Sequence, residues 1–273
     1  MTTMRVARLY EYGGPMVLES APRPSPRPTD ALIRVRACGV VPNLTNVLKH
    51  WRDWFPELPL PELPASFGLD VAGEIAELGE IVQNFRIGDR VYVTPGLFCG
   101  SCPACRAGDT INCENFTFRG YFGFGPQSQR QFDAYPHGGM GEYITAPQHN
   151  LVQIPDNLSF EKAARFGYLG TAYAALRKAG AGPGRTILVN GTTGVLGLGA
   201  VLIALGLGVT RILGVARDRE RLARVKALAR PAGSRRSLLA TAKRSPTGRA
   251  VSPADTALTQ SSIALDPARP ASC

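Results

Sequence analysis

The sequence predicts an α/β protein in three parts. A barrel-like β domain covers residues 1–150, an incomplete strand–helix–strand–helix half covers 151–229, and a tail over 230–273 has neither pattern. Three observations carry this reading. Short β-branched runs alternate with Gly and Pro through the first part. An uncharged stretch, 186–210, divides at a glycine turn into a strand and a helix. Four of the six cysteines, Cys99, Cys102, Cys105 and Cys113, fall within one short run.

Strands are expected at 6–10, 32–36, 71–78, 90–94 and 142–146, where apolar and β-branched residues cluster between turn signals. The Pro-rich segment 22–28 can be neither helix nor central strand and reads as an extended connector. Gly13-Gly14-Pro15, Gly88-Asp89 and His137-Gly138-Gly139 supply turns. The cysteine run, 95–116, hangs between strands as a lobe.

Within that lobe the spacing is C-x2-C-x2-C-x7-C. The short loops Gly100-Ser101 and Pro103-Ala104 let three sulfurs converge, and four thiolates close a tetrahedral site with no open position for substrate. A structural zinc is therefore expected. An iron–sulfur run of the bacterial ferredoxin kind has three residues before its fourth cysteine and a proline after it. Here seven intervene and Glu114 follows. A disulfide framework suits small secreted chains, whereas this one has 273 residues and opens MTTMRVARLYEY, with no apolar signal segment. The expected location is cytoplasmic.

Composition, at 44% hydrophobic and 19% charged, suits a chain that buries a sizeable core. The net charge of +10 suggests a polyanion partner until it is placed: residues 217–273 hold 12 Lys and Arg against 4 Asp and Glu. Residues 1–216, which contain the metal lobe, hold 19 against 17. A nucleic-acid-binding zinc module needs a basic patch beside its metal, so no nucleic-acid partner is expected. The stretch 186–210 is long enough to cross a bilayer. Six glycines with Asn190, Thr192 and Thr193 interrupt it, and it reads as a buried strand, a turn and a buried helix.

That turn places Gly191, Gly194 and Gly197 at G-x-x-G-x-x-G between the strand and the helix. Such glycines allow a tight turn and close backbone approach to a pyrophosphate at the helix N-terminus, with Thr192 and Val195 in the same wall. The next strand, 211–215, ends at Ala216-Arg217 with no carboxylate to hold a ribose 2′-hydroxyl. A guanidinium there suits a 2′-phosphate, so NADP(H) is expected over NAD(H). Asp218 is expected to cap a helix over 219–229.

The opening through Glu19, the stretch AGEIAELGEIVQNFRIGDRVYV, the cysteine lobe, GGMGEYITAP and NLSFEKAARF resemble the medium-chain dehydrogenase/reductase superfamily of zinc alcohol dehydrogenases and quinone reductases. The resemblance spans roughly residues 4–229. It implies a GroES-like catalytic domain joined to a Rossmann domain, with hydride transfer between NADP(H) and a small carbonyl, alcohol or activated alkene. It further implies a small-molecule substrate, with homo-oligomers common among full-length family members, and adds Thr171, of Thr171-Ala172-Tyr173, to the cofactor set. It places the three protein ligands of the family's catalytic zinc at Val41, Leu69 and Gly167, none of which carries a donor atom. Cys38 comes three positions too early, and His50, His137 and His149 match no ligand position. In the zinc-independent branch this implies, hydrogen-bond donors polarise the substrate; Asn43 and Tyr168 are the candidates, each explained as well by capping or packing. Trp51, Trp54 and Phe55 suit a substrate cleft or a core equally.

After Ala229 the sequence has no aromatic residue and is dominated by Ala, Arg, Ser and Pro. Two strands are legible where a Rossmann sheet has about six, which leaves an edge of the first strand unpaired. The expectation is a truncated or frameshifted chain with a disordered or out-of-frame tail, impaired as a dehydrogenase. The alternative is a non-catalytic remnant, a zinc-stabilised binding or structural module.

Overall fold

A computed structural model describes residues 2–228, 237–242 and 263–265. The elements run β1 (Thr3–Leu9), β2 (Met16–Pro22), β3 (Asp30–Gly39), α1 (Leu44–Trp54), β4 (Ala65–Ser66), β5 (Asp70–Leu78), β6 (Arg90–Val93), β7 (Gly96–Leu97), α2 (Pro103–Arg106), β8 (Thr117–Phe118), α3 (Gln129–Ala134), β9 (Tyr143–Pro147), β10 (Leu151–Gln153) and α4 (Phe160–Ala163). They continue α5 (Phe166–Lys178), β11 (Thr186–Asn190), α6 (Val195–Gly206), β12 (Arg211–Ala216), α7 (Arg219–Leu228), β13 (Ser237–Ala242) and β14 (Ile263–Leu265). The chain divides into two compact units, Met1–Gly167 and one beginning at Tyr168.

All five strands expected in the first unit form. β3 and β5, whose apolar residues are least interrupted, lie inside a five-stranded antiparallel sheet of order β10-β6-β5-β3-β9. Ala31, Ile33, Val71, Ile75, Val91, Val93, Ile144 and Ala146 fill its interior, which is the alternation of a barrel wall. A second sheet, β2-β1-β4, pairs Thr3 with Pro22 through Leu9 with Met16. This unit runs past the expected boundary at residue 150. β10 pairs with β6, and the Arg90 guanidinium donates to the carbonyls of Pro155 and Asp156 at 3.0 Å each.

Beyond α6 and α7 the helices were not expected, and α1 is the one that builds the aromatic core. α1 buries Leu44, Val47 and Trp51 on one face, the spacing of an amphipathic helix. Trp51 stacks on Phe122 with centroids 4.0 Å apart and donates from Nε1 to the Leu58 carbonyl at 3.0 Å. It is core. Phe55 is 42% exposed, and Trp54 stacks on His50.

In the second unit, 186–210 forms the strand, turn and helix that its glycines predict. Among the described residues no helix is long and apolar enough to cross a membrane. The two-strand expectation is corrected. The sheet has four strands in the order β13-β12-β11-β14, with β13 parallel to β12 and β14 antiparallel to β11. The edge of β11 that looked unpaired is covered by Ile263–Leu265. Ser237–Ala242 reads SLLATA, without Val, Ile or an aromatic residue, so strand propensity did not announce it. Backbone pairing with β12 meets the N–H and C=O groups on the side that faces it. The rest of the tail expected to be disordered or out of frame lies outside the described residues.

Candidate functional site

The four cysteines meet. Their sulfurs all lie within 4.8 Å of one another, and Cys99 and Cys113 Sγ are 3.6 Å apart. Zinc–thiolate bonds of about 2.3 Å in a tetrahedron put sulfurs about 3.8 Å apart, so the residues fit the metal. Second-sphere donors are in place. The N–H groups of Ser101 and Cys102 point at Cys99 Sγ at 3.5 and 3.4 Å, and those of Cys99 and Asn115 at Cys113 Sγ at 3.4 and 3.3 Å. The Ser101 N–H, more than any other group, lowers the pKa of Cys99, while burial raises those of Cys105 and Cys113. Pro103 starts α2 directly after Cys102, and the turn of α2 brings Cys105 round. Among the described residues this quartet is the one group of three or more metal-ligating side chains close enough to hold an ion. It is a structural zinc site.

The glycine turn has a distinct task for each residue. Gly191 sits at φ +79°, the left-handed region that favours glycine, and closes β11. Gly194 is the N-cap of α6 in extended conformation. A Cβ on Gly197 would meet the Gly191 carbonyl oxygen at 2.1 Å, so only glycine lets the helix sit against the turn. Thr192 is fully buried, and its hydroxyl donates to the carbonyl of Val189 at 2.8 Å, with that of Val215 at 3.2 Å. This ties the turn to both strands. Val195 opens the helix, and Arg217 stands exposed one residue past the end of β12. Asp218 caps α7 as expected, accepting from the Arg221 N–H at 3.0 Å. Thr171 is exposed on α5.

At two of the three positions where the resemblance placed catalytic-zinc ligands the structure shows apolar packing, and at the third a glycine beside a buried carboxylate. Val41 is buried in the aromatic core beside Leu44 and Trp51, and Leu69 packs on the same cluster. A Cβ on Gly167 would lie 2.4 Å from Asp70 Oδ1 and 3.1 Å from the Tyr92 hydroxyl oxygen. Asp70 and Tyr92 are both buried, and the tyrosine donates to the carboxylate at 2.8 Å. Burial raises the pKa of Asp70, with the Tyr92 hydrogen bond and Arg165 opposing. Nearby Cys38 is pushed up to about 12 by burial, an inert thiol. Sequence reasoning passed over the Asp70–Tyr92 pair. The one trace of it was Asp70 in the Gly68-Leu69-Asp70 run, and nothing in the sequence joins that to Tyr92.

Asn43 lies at the N-cap of α1, makes no side-chain capping bond, and accepts from Asn46 Nδ2 at 2.9 Å through Oδ1. Tyr168 belongs to the second unit. His137 is held down to about 4 by burial, the His149 ring lies tilted against Phe98 with centroids 4.8 Å apart, and among the described residues neither belongs to a group of three or more metal-ligating side chains.

Residues 27–156 match the alcohol dehydrogenase GroES-like domain family. Sequence and structure match the medium-chain dehydrogenase/reductase superfamily. An alcohol dehydrogenase from Geobacillus stearothermophilus is 33% identical over 77% of this chain and 58% of its own length. An NAD-dependent alcohol dehydrogenase from Sulfurisphaera tokodaii is 33% identical over 78% and 58%. A solved NAD-dependent alcohol dehydrogenase aligns with a TM-score of 0.71 at 29% identity, covering 87% of this chain and 63% of that one. The chain therefore spans somewhat over half the length of these superfamily members. Within it, a GroES-like β domain bearing a zinc lobe precedes an incomplete Rossmann half.

Proposed function

We propose that this chain is built for hydride transfer between NADP(H) and a small carbonyl, alcohol or activated alkene, without a catalytic zinc. The lack of donor atoms at Val41, Leu69 and Gly167 carries the second half of this reading. Asp70 and Tyr92 stand where a ligating side chain would have to go, and Val41 and Leu69 belong to an apolar core. The donor set therefore does not fit a catalytic metal. Polarisation of a substrate oxygen then falls to hydrogen-bond donors. The Asn43 amide is one: Asn46 engages its oxygen, which leaves its NH2 to donate. The Tyr168 hydroxyl is the other.

For the cofactor, Gly191, Thr192, Gly194, Val195 and Gly197 form the wall on which a pyrophosphate rests, with Thr171 on α5 as a further contact. The bound nicotinamide supplies the hydride. Arg217, exposed beyond the end of β12, favours a 2′-phosphate. Two of the relatives above carry NAD-dependent names, which favours NAD(H) as the second reading. Calorimetric titration separates the two. NADPH is expected to bind at least about tenfold tighter than NADH, and Arg217→Ala to remove that preference. Tighter NADH binding would overturn the assignment, and binding of neither would leave a zinc-stabilised module without catalysis.

A further inference from the structure

Arg165 follows α4 directly, since Ala164 closes that helix, and it is exposed. A Cβ on Gly39 would meet the Ala164 carbonyl oxygen at 2.2 Å, so glycine lets the end of β3 and the turn after α4 touch backbone to backbone. Across this contact Arg165 Nη1 donates to the carbonyl of Val40 at 3.2 Å. Val40 is itself 59% exposed, so the pair stands on an open face. Burial raises the pKa of Asp70 and of Cys38, and the Arg165 charge opposes that rise at both. One guanidinium thus bears on the neighbours of the positions that the resemblance gave to catalytic-zinc ligands. Val40 precedes Val41, Asp70 follows Leu69, and the segment that carries Arg165 runs on to Gly167.

What holds the guanidinium decides what it can do. It has five N–H donors, and the Val40 carbonyl takes one of them. Among the described residues no ion pair involves Arg165. Asp70 acts on it as a charge only: the carboxylate is buried, and its Oδ1 accepts from the Tyr92 hydroxyl at 2.8 Å. Arginine therefore remains a charged donor anchored by backbone, with N–H groups to spare. A ligand set without donor atoms leaves one task undone, which is to place positive charge at the substrate oxygen. Charge-assisted hydrogen bonds are about twice as strong as neutral ones. The Asn43 amide, on the same connection between β3 and α1, is neutral.

We propose that Arg165 is a catalytic residue that donates to the carbonyl oxygen of the substrate and holds the negative charge formed there, the task that zinc has elsewhere in the superfamily. This rests on the zinc-independent hydride transfer argued above. As hydride reaches the carbonyl carbon, the C=O electron pair passes to oxygen, and water supplies the proton that completes the alcohol. The test needs no turnover. Full-length protein carrying its structural zinc is titrated with para-dimethylaminobenzaldehyde, whose absorption moves to longer wavelength when positive charge draws on its carbonyl oxygen. The wild type is expected to bind it with that shift. Arg165→Gln, which keeps an amide donor and removes the charge, is expected to lose the shift and bind at least about tenfold more weakly. Arg165→Lys is expected to restore the shift, which a structural role of the arginine would not do. A wild type that binds without the shift, or does not bind, would overturn the proposal, as would an undiminished shift in Arg165→Gln. NADPH titrated separately is expected to bind wild type and Arg165→Gln alike. Loss of NADPH binding with the aldehyde shift intact would strike the cofactor reading and leave the role of Arg165 standing.

Discussion

At Gly197 a single hydrogen atom separates a formed turn from a broken one. A methyl group there would sit 2.1 Å from the Gly191 carbonyl oxygen, and backbone cannot yield as a side chain does. Gly197→Ala should therefore destabilise the chain by about 1–3 kcal/mol in denaturant unfolding and weaken dinucleotide binding in the same titration; unchanged stability would contradict the packing argument. His137 makes a second prediction. Burial, then the charges of Arg8 and Arg119, hold its folded pKa to about 4, below the ordinary 6.5. Between these values the unfolded chain binds more protons than the folded one, so stability is lost as pH falls from 6.5 towards 4. His137→Asn should remove roughly 2–3 kcal/mol of that pH dependence, read as the difference between the two unfolding curves. The glycine turn was legible because glycine spacing reports backbone need directly. The Asp70–Tyr92 pair was not, because burial of an isolated polar residue leaves no local mark in sequence.

Among elements, the cysteine lobe depends most on something other than its own packing. α2 has four residues and none of them is buried, too little to hold a loop. The metal closes it, and structural zinc contributes roughly 10–16 kcal/mol of binding to folding in small modules. Cys113→Ser should abolish zinc retention, lower the unfolding temperature and open residues 95–116 to limited proteolysis. A lobe as resistant as the wild type would show that packing holds it. Periodicity read the strands 71–78 and 90–94 nearly to their ends because both lie in a continuous sheet. It missed α1, where Lys49, Arg52 and Asp53 mask a face made by Leu44, Val47 and Trp51. It missed β13 and β14 because their order comes from pairing with β12 and β11, a non-local term.

For the molecule as a whole, the cysteines and the turn point to one superfamily, while Val41, Leu69 and Gly167 separate its two uses of zinc. The resemblance already placed residues without donor atoms at all three ligand positions. At Gly167 a Cβ would come within 2.4 Å of Asp70 Oδ1, so a side chain there would have to displace the buried Asp70 carboxylate. The zinc content of purified protein, measured by elemental analysis, tests this most directly. About one zinc per chain is predicted for the wild type, from four thiolates filling one tetrahedron, and none for Cys113→Ser. Two zincs per chain, or one that survives in Cys113→Ser, would contradict the account.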